Sequence, residues 1–236
     1  MPRRVAVKIC GVTDPGDALL SAELGADFLG LNFWPGSPRF VSVERAREIA
    51  AAVRAAAPRV ALVGVFVNPA AAFVEETAAA VGLDLLQFSG DEAAAAVRPF
   101  AARAIKALRT HDVASAAAFA DCWGLLLDAP RTGGLPGSGE AGRGVEAPVA
   151  QDYGGTGRQW EYGAAAPILG GAAGAARRVF LAGGLRPENV RRVVASLRPF
   201  AVDVCSGVES APGRKEPRLL RQLFEEVRNG QVDRPT

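Results

Sequence analysis

Histidine is almost absent from this chain. His111 stands alone, and the three cysteines, Cys10, Cys122 and Cys205, are far apart. A zinc centre needs several such ligands at close spacing, so no metal site is expected. An odd, scattered set of cysteines makes no disulfide framework, which points to a reducing, cytoplasmic setting. No dense run of lysine or arginine occurs, and 27 basic residues against 25 acidic ones leave a net charge of +2. Neither a nucleic acid nor a membrane surface is therefore an expected partner. No apolar run reaches the length of a membrane span, and the opening MPRRVAVK lacks the apolar segment of a secretory leader. No G-x-G-x-x-G follows the first strand-like run, which counts against an open dinucleotide-binding sheet. Internal repeats at solenoid periods are also missing.

What is present is an alternation. Short apolar runs lie at residues 5–10, 28–33, 60–67, 83–88, 104–108, 122–127, 178–182 and 201–205. Longer Ala-rich amphipathic stretches separate them, at 15–24, 43–56, 70–81, 92–100, 113–119, 187–197 and 217–227. A further helix is expected from about Trp160. Eight strands, each followed by a helix, predict a single-domain (β/α)8 TIM barrel of the α/β class over residues 1–230. At 49% hydrophobic residues the chain can fill one large core. One connection is anomalous. Residues 129–159 are dense in Gly, Pro and polar side chains, which predicts a long mobile loop. Residues 231–236 are expected to fray.

In such a barrel the ligand site lies at the carboxyl ends of the strands. Strand one ends at Cys10, strand two leads to Arg39, strand five delivers Lys106 and Arg109, and strand six ends at Asp128. Strands seven and eight run into Gly183-Gly184 and Ser206-Gly207. Small residues there let backbone N–H groups approach an anion, so these two turns predict a phosphate site. A thiol at the mouth serves as a base when a cation lowers its pKa, and Lys8, two residues earlier on the same strand face, is the candidate neighbour. Asp128, closing the apolar run Leu125-Leu126-Leu127, is the candidate general acid facing it. Cys122 reads as packing, early in strand six. Cys205 flanks the second turn, where a small residue suffices, and His111 reads as a loop residue.

Together these segments resemble the phosphoribosylanthranilate isomerases, barrel enzymes of tryptophan biosynthesis. The matching motifs are KICG at 8–11, GADFLGLNF at 25–33, SPRFVS at 37–42, VGVFVN at 63–68 and LLQFSGDE at 85–92. LLLDAP at 125–130, GGTG at 154–157 with Trp160, LAGGLRPENV at 181–190 and VDVCSGVESAPGRKE at 202–216 complete them in the family's order. The resemblance implies an Amadori rearrangement of an aminoaldose, N-(5-phosphoribosyl)anthranilate. It implies Cys10 as base, Asp128 as acid and Arg39 on the substrate carboxylate. The phosphate would lie on Gly183, Gly184, Ser206 and Gly207. The expected ligand is this small phosphorylated molecule, with no metal, nucleotide or redox cofactor, and the expected assembly is a monomer or homodimer.

Three departures stand out. Ser89 replaces the family's usual histidine, Cys205 replaces a serine, and the loop after Asp128 is longer than usual. Two other readings compete. A histidine-pathway aminoaldose isomerase would use paired aspartates, and Cys10 stands where one of them would be. A barrel that binds a phosphorylated metabolite without turnover is supported only by Ser89 and the long loop.

Overall fold

The chain is described by a computed structural model that covers residues 4–128, 169 and 178–232. Eight parallel strands close into a barrel in chain order. They are β1 (Ala6–Ile9), β2 (Phe28–Asn32), β3 (Ala61–Phe66), β4 (Leu85–Phe88), β5 (Ala104–Arg109), β6 (Gly124–Asp128), β7 (Val179–Leu181) and β8 (Ala201–Val204). All eight fall within two residues of the apolar runs that predict them. The seam between β8 and β1 closes the ring, with Lys8 opposite Asp203 and Ile9 opposite Val204.

The strands are apolar on both faces because both faces are buried. Alternate residues point into the barrel, where Phe28, Val63, Leu85, Ile105, Leu126 and Phe180 form one cluster. The residues between them, among them Ile9, Leu29, Leu86 and Leu127, pack outward against the helices.

Local signals set most helix bounds. Asp14 accepts from the Gly16 N–H at 2.8 Å and starts the helix Pro15–Leu24, and Ser42 caps Val43–Ala56 through the Arg45 N–H. Helices Ala71–Val81 and Pro187–Leu197 also stand where the periodicity puts them.

Two segments differ from expectation. The helix foreseen at 92–100 is a single α-turn, Ala94–Val97, continued as a 3-10 helix over Arg98–Arg103. Pro99 has no N–H to give an α-helical bond. The stretch Thr110–Phe119 is 3-10 throughout. A 3-10 helix rises about 2.0 Å per residue against about 1.5 Å for an α-helix, so this short connection returns farther along the barrel axis.

At the chain's end the helix Pro217–Val232 runs two residues into the stretch expected to fray. Its apolar stripe, from Leu220 through Leu223 and Phe224 to Val227, holds it against the barrel. Two short strands, β9 (Glu209–Ala211) and β10 (Arg214–Lys215), form a hairpin after β8. The predicted loop 129–159, with its GGTG run, and the helix expected from Trp160 lie outside the described residues. Among the described residues no helix is long and apolar enough to cross a membrane.

Candidate active site

The carboxyl ends of the strands gather the residues singled out above. Continuing the β1 alternation from Ala6 places Lys8 and then Cys10 on the inward face. The β8 alternation likewise runs Ala201, Asp203, Cys205. Lys8 is fully buried, and its Nζ donates to Asp203 Oδ1 at 2.8 Å. Burial pulls its pKa down, but the charges of Asp203 and Cys10 and the hydrogen bonds to them together outweigh burial and raise it, so Lys8 remains an ammonium. One layer higher, Cys10 meets Cys205. Room for its thiol comes from Gly30, where a Cβ would lie 2.8 Å from Cys10 Sγ.

The Cys10 pKa is lowered to about 7. The hydrogen bond from Cys205 contributes most. The Lys8 and Lys215 charges add to it, against burial and Asp203. The Cys205 thiol moves the other way, pushed well up because its proton is held in that bond and because it is buried.

Arg39 arrives on a tight turn. Ser37 Oγ accepts from the Arg39 N–H at 3.1 Å and from Asn32 Nδ2 at 3.2 Å, and Asn32 Oδ1 accepts from the Trp34 N–H at 2.9 Å. The guanidinium is then gripped by Glu209. Its Nε donates to both carboxylate oxygens, at 2.9 and 3.1 Å, and its Nη2 donates to Oε2 at 2.7 Å. That fork fills one edge of the plane and leaves Nη1 pointing elsewhere.

Lys215, on β10, braces the same group. Its Nζ donates to Glu209 Oε1 at 2.8 Å, to the Cys10 carbonyl at 2.6 Å and to the Cys205 carbonyl at 3.3 Å. Burial alone would raise the Glu209 pKa. The Arg39 hydrogen bonds and Lys215 outweigh it, so the carboxyl is held below its usual range.

The two glycine turns adjoin. Gly183 and Gly184 both have positive φ, 84° and 66°, which turns the chain sharply from β7 toward the helix Pro187–Leu197. Asn189 fixes that turn, accepting from the Arg186 N–H at 3.0 Å and donating to the Gly184 carbonyl at 2.9 Å. The 3-10 turn Ser206–Val208 packs directly on it, so closely that a Cβ at Gly207 would lie 2.0 Å from the Leu185 oxygen. The two turns therefore make one continuous backbone surface.

Asp128 ends β6, in register with Arg109 on β5, and both face inward at the mouth. Going round the ring, β7 and β8 separate it from Cys10. Lys106 belongs elsewhere. It is buried on the outer face of β5, where Nζ donates to Glu92 Oε2 at 2.7 Å and to the Gly90 carbonyl at 2.8 Å. Ser89 Oγ accepts from Gln87 Nε2 at 3.0 Å. Cys122 lies in the turn before β6 and packs against the core. The His111 side chain is outside the described residues.

Sequence reasoning missed Asp203, Glu209 and Lys215 as individuals, although all three lie in the 202–216 motif. A signal existed for the first: Lys8 and Asp203 are single opposite charges inside otherwise apolar strands. Cys205 does flank the second turn as expected, and beyond that it lies beside Cys10 across the β8–β1 seam and lowers its pKa.

Comparison with known proteins now bears on this arrangement. The family model described as N-(5'phosphoribosyl)anthranilate (PRA) isomerase matches residues 7–226. The isomerase of that name from Citrifermentans bemidjiense is 41% identical over 226 residues, covering 94% of this chain and 96% of the relative. The one from Pseudomonas aeruginosa is 40% identical over 233 residues, covering 97% and 98%. A crystal structure of the Thermotoga maritima isomerase superposes with a TM-score of 0.76 at 34% identity, covering 95% of this chain and 98% of that one. Another isomerase structure holds reduced 1-(o-carboxyphenylamino)-1-deoxyribulose 5-phosphate, with a TM-score of 0.75 at 33% identity and the same coverage. The chain belongs to the N-(5'-phosphoribosyl)anthranilate isomerase family.

Proposed function

We propose that this chain converts N-(5'-phosphoribosyl)anthranilate to 1-(2-carboxyphenylamino)-1-deoxyribulose 5-phosphate in tryptophan biosynthesis, with Cys10 as general base and Asp128 as general acid. The observation that carries the division of labour is the Cys10 thiol. It stands at the barrel mouth among Lys8, Lys215 and Cys205, and is half ionised at about pH 7. A thiolate at neutral pH is a competent base without any cofactor.

Asp128 protonates the furanose oxygen, and the ring opens to a Schiff base. The positive nitrogen acidifies the proton on the adjacent carbon, and Cys10 removes it. The enolamine then tautomerises to the ketone. The proton taken by Cys10 balances the one given by Asp128, so the step is an isomerisation with no net redox change. Arg39, held by Glu209 along one edge, offers Nη1 to the anthranilate carboxylate. The adjoining turns at Gly183-Gly184 and Ser206-Gly207 receive the phosphate on backbone N–H groups.

The bound ligand of the related structure carries a phosphate and a carboxylate, groups that suit an anion cradle and a guanidinium, which supports this reading. A paired-aspartate isomerase is disfavoured, since β1 ends in a thiol. We read residues 1–230 as one barrel acting in the cytoplasm as a monomer or homodimer, and light scattering distinguishes the two. The deciding experiment follows the loss of substrate fluorescence on adding purified protein. Turnover that disappears in both Cys10→Ser and Asp128→Asn is expected. A folded parent chain that binds the reduced product but never turns substrate over would mark a binding barrel instead.

A further inference from the structure

The Cys10 thiolate has a partner that the reaction scheme does not use. Lys8 pairs with Asp203 and Ile9 with Val204 across the β1–β8 seam, and the Cys10 N–H donates to the Val204 carbonyl at 2.9 Å. The next residues on the two strands, both on the inward face, are therefore side by side, and each thiol acts on the other, lowering the pKa of Cys10 and raising that of Cys205. Lys215 fastens this pair by bonding both cysteine carbonyls. A Cβ at Gly11 would lie 3.0 Å from Cys205 Sγ, so the glycine keeps the second thiol's space clear.

The direction of the bond follows from what else is in reach. Cys205 has one proton and two acceptors, Cys10 and Glu209 Oε1, the latter 3.9 Å away. That oxygen already accepts from Arg39 Nε at 2.9 Å, Lys215 Nζ at 2.8 Å and the Gly213 N–H at 3.2 Å. Its lone pairs are taken by stronger donors. The thiolate of Cys10 is the acceptor with capacity to spare.

We propose that Cys205 is a positioning residue, placing its S–H proton on the Cys10 thiolate and so holding the base ionised at neutral pH. This rests on Cys10 being the base. The other charged groups around Cys10 are Lys8 on its own strand, Asp203 on β8, Lys215 on β10, and the Arg39–Glu209 pair behind Cys205. The ammoniums favour the thiolate at every pH at which they stay charged, and Asp203 opposes them. Among the described residues, Cys205 is the donor that the neighbouring strand β8 sets beside Cys10. A serine there retains a donor, whereas alanine or valine removes it.

The test titrates the Cys10 thiolate by its ultraviolet absorbance, using Cys10→Ser as the blank, beside the pH profile of kcat/KM. In Cys205→Ala and Cys205→Val both the titration and the acid limb should move up by about one pH unit, a tenfold change in the ionisation constant. The plateau rate at high pH should stay near that of the parent. Cys205→Ser should restore the parent positions. A titration unmoved in either folded donor-less variant, or moved equally by serine, overturns the proposal. Should neither variant fold, the S–H stretch of Cys205 in the unmutated chain decides. It should fall in frequency as Cys10 ionises, and a constant frequency counts as refutation. Failure of the base assignment is seen separately, as turnover retained by Cys10→Ser.

Discussion

Cys10 shows how much chemistry a single position draws from its surroundings. An isolated thiol is mostly protonated at neutral pH, with a pKa of about 8.5. Here the Cys205 hydrogen bond and two ammonium charges bring it to about 7. The sign of the pH dependence follows. Below that value the sulfur already holds a proton and cannot take another, so kcat/KM should rise as pH passes up through about 7. Cys10→Ser keeps the shape but not the acidity, and should lose roughly a hundredfold to ten-thousandfold in kcat. Steady-state rates across a pH series check both statements. Arg39 is a second case, since its fork to Glu209 fixes the plane that would meet a carboxylate. Arg39→Lys keeps the charge and loses the planar geometry. The substrate KM should rise about tenfold or more, with kcat less affected, which a saturation curve reads directly.

Among the elements, the two turns that end β7 and β8 act as one piece. Gly207 has no room for a side chain against Leu185, so Gly207→Ala must push the turns apart. The overpacking should cost about 1–3 kcal/mol of stability. The larger effect should fall on ligands that carry phosphate. Inorganic phosphate should inhibit the variant more weakly than the parent, while a thermal melt shows a barrel still folded. Equal inhibition in both would place the anion elsewhere. The hairpin of β9 and β10 is the other element with a clear task. It carries Glu209 and Lys215 back over the β8–β1 seam, where one carboxylate and one ammonium order Arg39 and both cysteine carbonyls.

On the scale of the whole molecule, the barrel separates stability from chemistry along its axis. The carboxyl end holds charge and thiols. The opposite end is plugged by aromatic rings: Phe28, Trp123, Phe180 and Phe200 meet with centroids 5.2 to 6.1 Å apart. Arg178 lies over the Trp123 ring at 4.7 Å. Phe180 is fully buried, so Phe180→Ala should destabilise the fold by about 3–5 kcal/mol through the lost burial and the cavity. At temperatures below the lowered melt, kcat/KM should stay close to the parent value. A calorimetric scan beside an activity assay tests that separation.

The architecture was legible along the chain because the signals that set it are local. Apolar runs of strand length, amphipathic stretches between them and small residues after β7 and β8 are properties of neighbouring residues. They already implied eight strands and the end of the barrel where Cys10, Arg39 and Asp128 lie. Proline 99 and the short Thr110–Phe119 connection were misread because periodicity reports an amphipathic helix without distinguishing α from 3-10 geometry. The electrostatic core of the site was not legible in that way. Lys8 meets Asp203 across 195 positions, and Lys215 meets the Cys10 carbonyl across 205. Those distances vanish only when β8 closes on β1. Residues at the two ends of the chain then share one buried layer, and a thiol that composition reads as a small core residue acquires a donor and two cations.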